Sequence, residues 1–120
     1  MTQEEHTLKR FDAELEDIRA QILQMGGLVQ LQLKLALHAL FESNTYLAQQ
    51  VIEQDHRVNL MDVEIDDLCC ISIARHKPTA SDLRLIINAT KIVAHLERIG
   101  DEAKKIAHIT ERHSQPYRLS

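Results

Sequence analysis

An unbroken apolar stripe runs through the first forty residues, and its members stand three or four positions apart. This spacing places all of them on one face of an α-helix, which must be buried along its length. The stripe keeps its phase across Gly26-Gly27, so we predict one continuous helix, with a break at the two glycines as the competing interpretation. Its members are Phe11, Leu15, Ile18, Ile22, Met25, Val29, Leu33, Ala36 and Leu40.

Short polar segments follow this stripe and carry residues that start or end helices. Ser43 or Asn44 can cap the start of a second helix, because either side chain accepts a hydrogen bond from a first-turn backbone N–H. Pro78 ends that helix by disfavouring α geometry in the residue before it. Thr79, followed three positions later by Asp82, indicates the start of a third helix.

Three long helices with short connections predict an all-α fold, an antiparallel up-down-up three-helix bundle. We place the helices at about residues 5–41, 45–75 and 80–113, with a loose tail over residues 114–120. One domain covers residues 1–120, because a chain of this length builds a single core. The stripes of the second and third helices are Leu47, Val51, Val58, Met61, Ile65 and Leu68, and Ile86, Ala89, Val93, Leu96, Gly100, Ala103 and Ala107.

Composition and charge narrow the classes of function. The net charge is −4, without the basic footprint of a nucleic-acid-binding domain, so no nucleic-acid partner is expected. No segment approaches the ~20 apolar residues that span a bilayer, so no direct membrane insertion is expected. Cys69 and Cys70 are adjacent and do not form a standard zinc pattern; as reduced thiols they are typical of a cytosolic protein.

Two pairs of acids stand out, Asp62 with Asp66 and Glu97 with Asp101. Residues four apart on a helix lie one above the other, so each pair presents two carboxylates side by side. Like charges at this spacing repel by roughly 0.2–0.5 kcal/mol per pair. Asp55 lies in phase with the first pair and extends it into a polar stripe beside the apolar one. These acids are therefore either solvated or hold a cation.

Carboxylate oxygens suit hard or borderline cations such as Mg²⁺, Mn²⁺, Ca²⁺ or iron. In an antiparallel bundle the two pairs are offset by about five residues, near 7 Å, which suits two adjacent ions or a cluster better than one shared ion. The alternative is a structural helical adaptor whose solvated acids are neutralised by nearby lysines and arginines, with no metal. A carboxylate-bridged redox enzyme is a third alternative, which the missing Glu-x-x-His motif disfavours.

Four segments, taken in order, resemble the PhoU family of phosphate-transport regulators. They are residues 11–16 (FDAELE), 25–27 (MGG), 78–85 (PTASDLRL) and 96–101 (LERIGD). The last segment is the most specific, and the resemblance extends from Phe11 to about His113. It implies a three-helix bundle whose acid-x-x-x-acid motifs bind metal ions.

By this resemblance Asp62, Asp66, Glu97 and Asp101 occupy metal-ligand positions, and Asp55 is a weaker candidate. Iron is the expected metal, with Mg, Mn, Zn or Ni as alternatives. The resemblance further implies a cytoplasmic regulator of phosphate uptake and phosphate-starvation signalling rather than an enzyme.

Its implied partners are the ATPase of the phosphate ABC transporter and a membrane sensor histidine kinase, through which it would be membrane-peripheral. Family members typically carry two tandem copies of the bundle, and this chain resembles the N-terminal copy. It is therefore expected to be either a fragment or a homodimer that rebuilds the double bundle.

Overall fold

The computed structural model describes residues 2–114, which form three α-helices joined by two short connections. They are α1 (Gln3–Glu42), α2 (Thr45–His76) and α3 (Ala80–Ser114). Each helix packs against both of the others, so the prediction of an all-α, up-down-up three-helix bundle is confirmed.

The helix ends lie within two residues of those predicted. The predicted loose tail began at Ser114, which instead is the last residue of α3. The remainder of that tail, residues 115–120, lies outside the described residues.

Local hydrogen bonds explain where the helices begin and end. The side chain of Asn44 accepts a first-turn backbone N–H at 3.0 Å and caps α2, whereas Ser43 takes the left-handed conformation that ends α1. Lys77, at φ 44°, ends α2 in the same way. Thr79 Oγ1 accepts the backbone N–H of Asp82 at 3.4 Å, as the capping pattern predicted.

The glycine pair does not interrupt α1, so the prediction of a continuous helix is confirmed and the competing break is excluded. Neither Gly26 nor Gly27 takes a positive φ. A methyl group on Gly27 would meet no heavy atom within 4 Å, and one on Gly26 would touch Leu96 only at 4.0 Å. Neither glycine is therefore required by packing.

The buried line of α1 differs from the predicted stripe in its C-terminal half. Gln32 and Ala39 are buried there, whereas the predicted Leu33 and Leu40 are only half-buried. Alanines dominate this end of the core, which leaves the larger leucines at its margin. The Gln32 side chain is satisfied because its Nε2 donates to the Val51 carbonyl oxygen at 2.9 Å.

The buried line of α2 is also more polar than predicted. Leu47, Met61 and Leu68 are half-buried beside the core. Fully buried positions of this helix include Asp55, Cys69 and Ser72 alongside the predicted Val51, Val58 and Ile65. On α3 the predicted stripe is buried or half-buried throughout.

All three helices approach one another at Gly100. A Cβ at this position would lie 3.2 Å from Val58 Cγ1, 3.7 Å from Asp55 Oδ1 and 3.9 Å from Val29 Cγ2. The first distance is shorter than an ordinary van der Waals contact, so the space between α3 and α2 accepts only a hydrogen atom without rearrangement.

Two glycine-to-alanine substitutions separate helix propensity from packing. Gly27→Ala should raise the free energy of unfolding by about 0.5–1 kcal/mol, because alanine loses less backbone entropy and meets open space. Gly100→Ala makes the same gain but presses on Val58, so it should be clearly less stable than Gly27→Ala. Urea unfolding followed by circular dichroism measures both; equal stabilisation by the two substitutions would contradict the close approach.

Candidate functional site

Asp55 is buried in the core line of α2, at 6% exposure. Its Oδ2 lies 3.5 Å from Nζ of Lys104 on α3 and accepts the Asn59 side-chain amide at 3.3 Å. A carboxylate taken out of water requires such partners, because an uncompensated buried charge is costly. Asp55, the weaker of the predicted ligands, is therefore already neutralised by a lysine from the neighbouring helix.

Asp62 is half-buried, and Asp66 one turn further along α2 is exposed. Burial raises the pKa of the Asp62 carboxyl above its ordinary value, and the neighbouring charge of Asp66 raises it further. Both causes disfavour the ionised carboxylate. Asp62 thus sits where a positive charge would relieve an unfavourable electrostatic environment.

The register of α2 against α3 decides which acids face each other. The two helices run antiparallel, so a step forward on α2 corresponds to a step backward on α3. Gly100 lies beside Val58. Asp62, four positions beyond Val58, therefore lies at the height of Leu96 and Glu97. Glu97 is half-buried, like Asp62.

The outer member of each pair lies away from this level. Asp66 and Asp101 are each one helical turn from it, in opposite directions along the bundle. The pairs are offset by between four and five residues, near 7 Å at the α-helical rise, in line with the stagger expected from the helix lengths. Within residues 2–114, no three His, Cys, Asp or Glu side chains are close enough together to hold a metal ion.

Asp101 is exposed and pairs on its own helix with Lys105, whose Nζ lies 3.3 Å from Asp101 Oδ2 and 3.3 Å from Glu102 Oε1. These hydrogen bonds, first that to Asp101, raise the pKa of the Lys105 amine. By contrast, no basic side chain in the described range lies within ion-pair distance of Asp62, Asp66 or Glu97. The five predicted acids therefore divide into two held by lysines and three without a cation.

A second polar cluster, not anticipated from the sequence, lies where α1 meets the end of α2. Glu14 Oε1 is 2.6 Å from Arg75 Nη1, and its Oε2 is 2.5 Å from His76 Nε2. Ser72 Oγ donates to the same Oε2 at 3.2 Å. The His76 side chain is 3% exposed, and its ring packs on Phe11 with centroids 4.9 Å apart. This cluster, Glu14 with Ser72, Arg75 and His76, ties two helices together.

The sequence held only a weak signal for this cluster. Glu14 is 61 positions from Arg75, and no local periodicity relates residues so far apart. Ser72, a polar residue in phase with the buried Ile65 and Cys69, was the one indication that a polar partner was needed inside.

The fold and the site define an all-α bundle protein whose polar chemistry rests on carboxylates and their basic partners. No helix in the described range is long and apolar enough to cross a membrane. The PhoU domain family model matches residues 22–110. The chain belongs to the PhoU family.

Relatives and a solved structure agree with this assignment. The chain is 52% identical over 102 residues to the phosphate-specific transport system accessory protein PhoU homolog of Pseudomonas aeruginosa, a match covering 85% of this chain and 42% of the relative. It is 48% identical over 113 residues to the phosphate-specific transport system accessory protein PhoU of Escherichia coli K12, covering 93% of this chain and 47% of the relative.

The crystal structure of PhoU from Pseudomonas aeruginosa superposes with a TM-score of 0.85 at 50% identity, covering 88% of this chain and 50% of that one. The chain thus spans about half the length of the curated relatives it matches.

The Glu14 cluster makes a stability prediction. Glu14→Ala should lower the free energy of unfolding by about 1–3 kcal/mol, because it leaves Ser72 and His76 buried without their acceptor. The matched control is Glu16→Ala, which removes an ion pair with Arg19 whose side chains are both 67% exposed. The control should change stability by less than about 0.5 kcal/mol. Equal effects in chemical denaturation would contradict a structural role for the cluster.

Proposed function

We propose that this chain is a regulatory module of phosphate uptake and phosphate-starvation signalling that acts by binding other proteins rather than by catalysis. The observation that carries the proposal is the 48% identity, over 93% of this chain, to a protein named as an accessory of the phosphate-specific transport system. The three-helix scaffold supports it, because long helices offer extended surfaces for partner contacts.

The proposed partners are the ATPase of the phosphate ABC transporter and a membrane sensor histidine kinase. An accessory protein of a transporter works where it can reach that transporter. We therefore place this chain in the cytoplasm, held at the membrane through its partners. The names of the curated relatives support the association with a phosphate transport system.

We further propose that Asp62 and Glu97 are the first ligands of a bound metal ion, with Asp66 and Asp101 as additional donors one turn away on each helix. What supports this is the asymmetry of charge compensation. Asp55 has Lys104 as its cation, whereas the half-buried Asp62 and Glu97 have none in the described range. The donor set fits a hard or borderline cation in kind, although fewer than three acids converge.

Iron is the proposed metal, with Mg, Mn, Zn and Ni as alternatives, because carboxylate oxygens suit these ions to differing degrees. Such an ion supplies the positive charge that relieves the raised pKa of Asp62. Since Asp62 and Glu97 belong to different helices, binding would also hold α2 against α3 at this height.

A structural adaptor without metal is the second candidate function. Lys104 beside Asp55 and Lys105 beside Asp101 support it, because these lysines already supply internal cations to part of the predicted ligand set. In this alternative Asp62, Asp66 and Glu97 are screened by water alone.

Because the chain spans half the length of its relatives, we also propose that it works as a homodimer. Two copies would supply the two bundles that the longer relatives have room for in one chain. The chain is then sufficient for partner binding only when paired.

Metal content separates the metal-binding regulator from the adaptor. Protein purified without a histidine tag, loaded with Fe²⁺ or Mn²⁺ and dialysed, should retain metal by mass spectrometry. The double variant Asp62→Asn/Glu97→Gln should lose it. The matched control is Asp12→Asn/Glu16→Gln, which removes another pair of exposed acids four apart. Wild-type protein without metal would favour the adaptor, and equal retention in both double variants would refute the assigned ligands.

Partner binding tests the regulatory role itself. The purified chain should bind the isolated ATPase subunit of the phosphate ABC transporter saturably in biolayer interferometry. The ATPase of an unrelated ABC importer serves as control and should not bind. Equal binding to both ATPases, or to neither, would contradict the proposed partner.

A further inference from the structure

A second apolar line runs along α3, separate from the core. Leu85, Ile92 and Ile99 are seven residues apart and are 56%, 48% and 39% exposed. Each directly precedes a buried core residue (Ile86, Val93 and Gly100). Apolar residues at heptad spacing on an exposed helix face are typical of a helix that packs on two sides.

This line borders a groove between α3 and α1. A cavity of about 420 Å³ lies there, and its walls include Leu15, Ile22 and Leu23 from α1 and Leu85 and Ile92 from α3. Leu23 is 60% exposed. A continuous apolar groove of this kind on a helical bundle is suited to receive further helices.

Charged residues of opposite sign flank the groove. Asp12 and Glu16 lie on its α1 wall, and the exposed Arg84 lies on α3 beside Leu85. The contact between Gly26 and Leu96 shows that a residue of α1 is level with the residue about 70 positions later on α3. Arg84 is therefore at a height between those of Asp12 and Glu16.

We propose that a second copy of this chain docks on the α1–α3 groove, with a twofold axis parallel to the helices. This symmetry lays α1 of one copy over α3 of the other at the same height. Each copy then sets Asp12 and Glu16 against Arg84 of its partner on two sides of an apolar centre. The inference rests on the proposed homodimer and names its surface.

A second copy fits this surface because the surface is self-complementary. An isologous interface needs one patch that carries both halves of each contact. The groove does so, with acids on one wall and a base on the other at matching heights. The length of the relatives agrees: the match accounts for 50% of the Pseudomonas aeruginosa chain, and the remainder of that chain is of the size of another such unit.

Light scattering with size-exclusion chromatography tests the surface with a matched pair of variants. Leu85→Glu changes a residue 56% exposed in the groove, and Leu60→Glu changes one 57% exposed on α2. Wild type and Leu60→Glu should have twice the monomer mass of 13.8 kDa, and Leu85→Glu should have the monomer mass. Circular dichroism checks that all three remain equally helical.

The outcomes distinguish the surface from dimerisation itself. A dimer that survives Leu85→Glu, or that is lost equally in Leu60→Glu, would overturn the surface and leave the homodimer standing. A monomeric wild type at every concentration would overturn both.

A charge exchange tests the symmetry. Arg84→Glu should weaken the dimer at low ionic strength, because it sets like charges against Asp12 and Glu16. Adding Asp12→Lys and Glu16→Lys in the same chain should restore it. Failure of this triple variant to recover any dimer lost in Arg84→Glu would overturn the arrangement of the two copies.

Discussion

The close approach of the three helices at Gly100 is the constraint on which the polar architecture depends. Because position 100 carries no side chain, Val58 of α2 can lie against the α3 backbone. This contact sets the register of the antiparallel pair. The same register brings Lys104 to the buried carboxylate of Asp55 and places Asp62 at the height of Glu97. A shift of one turn would separate Asp55 from Lys104 and would leave the charge of this aspartate buried without a partner.

Charge compensation differs along the bundle, and the difference points to function. Near one end Glu14 is held by Arg75 and His76, and towards the other Asp55 is held by Lys104; both carboxylates have a basic partner from another helix. Asp62 lies between them, half-buried, with only the like charge of Asp66 affecting its pKa. A protein that compensates two buried acids internally and leaves a third without a cation has a site where an external cation is stabilising.

Local patterns in the sequence predicted the helices and their order, because apolar spacing and capping residues act within a few positions. They could not decide which of two neighbours enters the core. At Gln32 against Leu33 the polar residue is buried, since it reaches the Val51 carbonyl oxygen across the helix pair. They also could not pair Glu14 with Arg75, or Asp55 with Lys104, because these partners meet only after the bundle assembles. The height match of Asp62 and Glu97 was within reach of helix-length arithmetic, whereas their lack of basic partners required side-chain positions.

The central claim is that a cation binds between α2 and α3 at the level of Asp62 and Glu97. Paramagnetic broadening of amide signals by Mn²⁺ in a two-dimensional NMR spectrum locates such an ion directly, because the effect falls steeply with distance. The account predicts that substoichiometric Mn²⁺ broadens the amides around Asp62 and Glu97 first, with Asp66 and Asp101 following along each helix. Broadening that begins at Asp12 and Glu16, or that spreads evenly over all exposed acids, would contradict it.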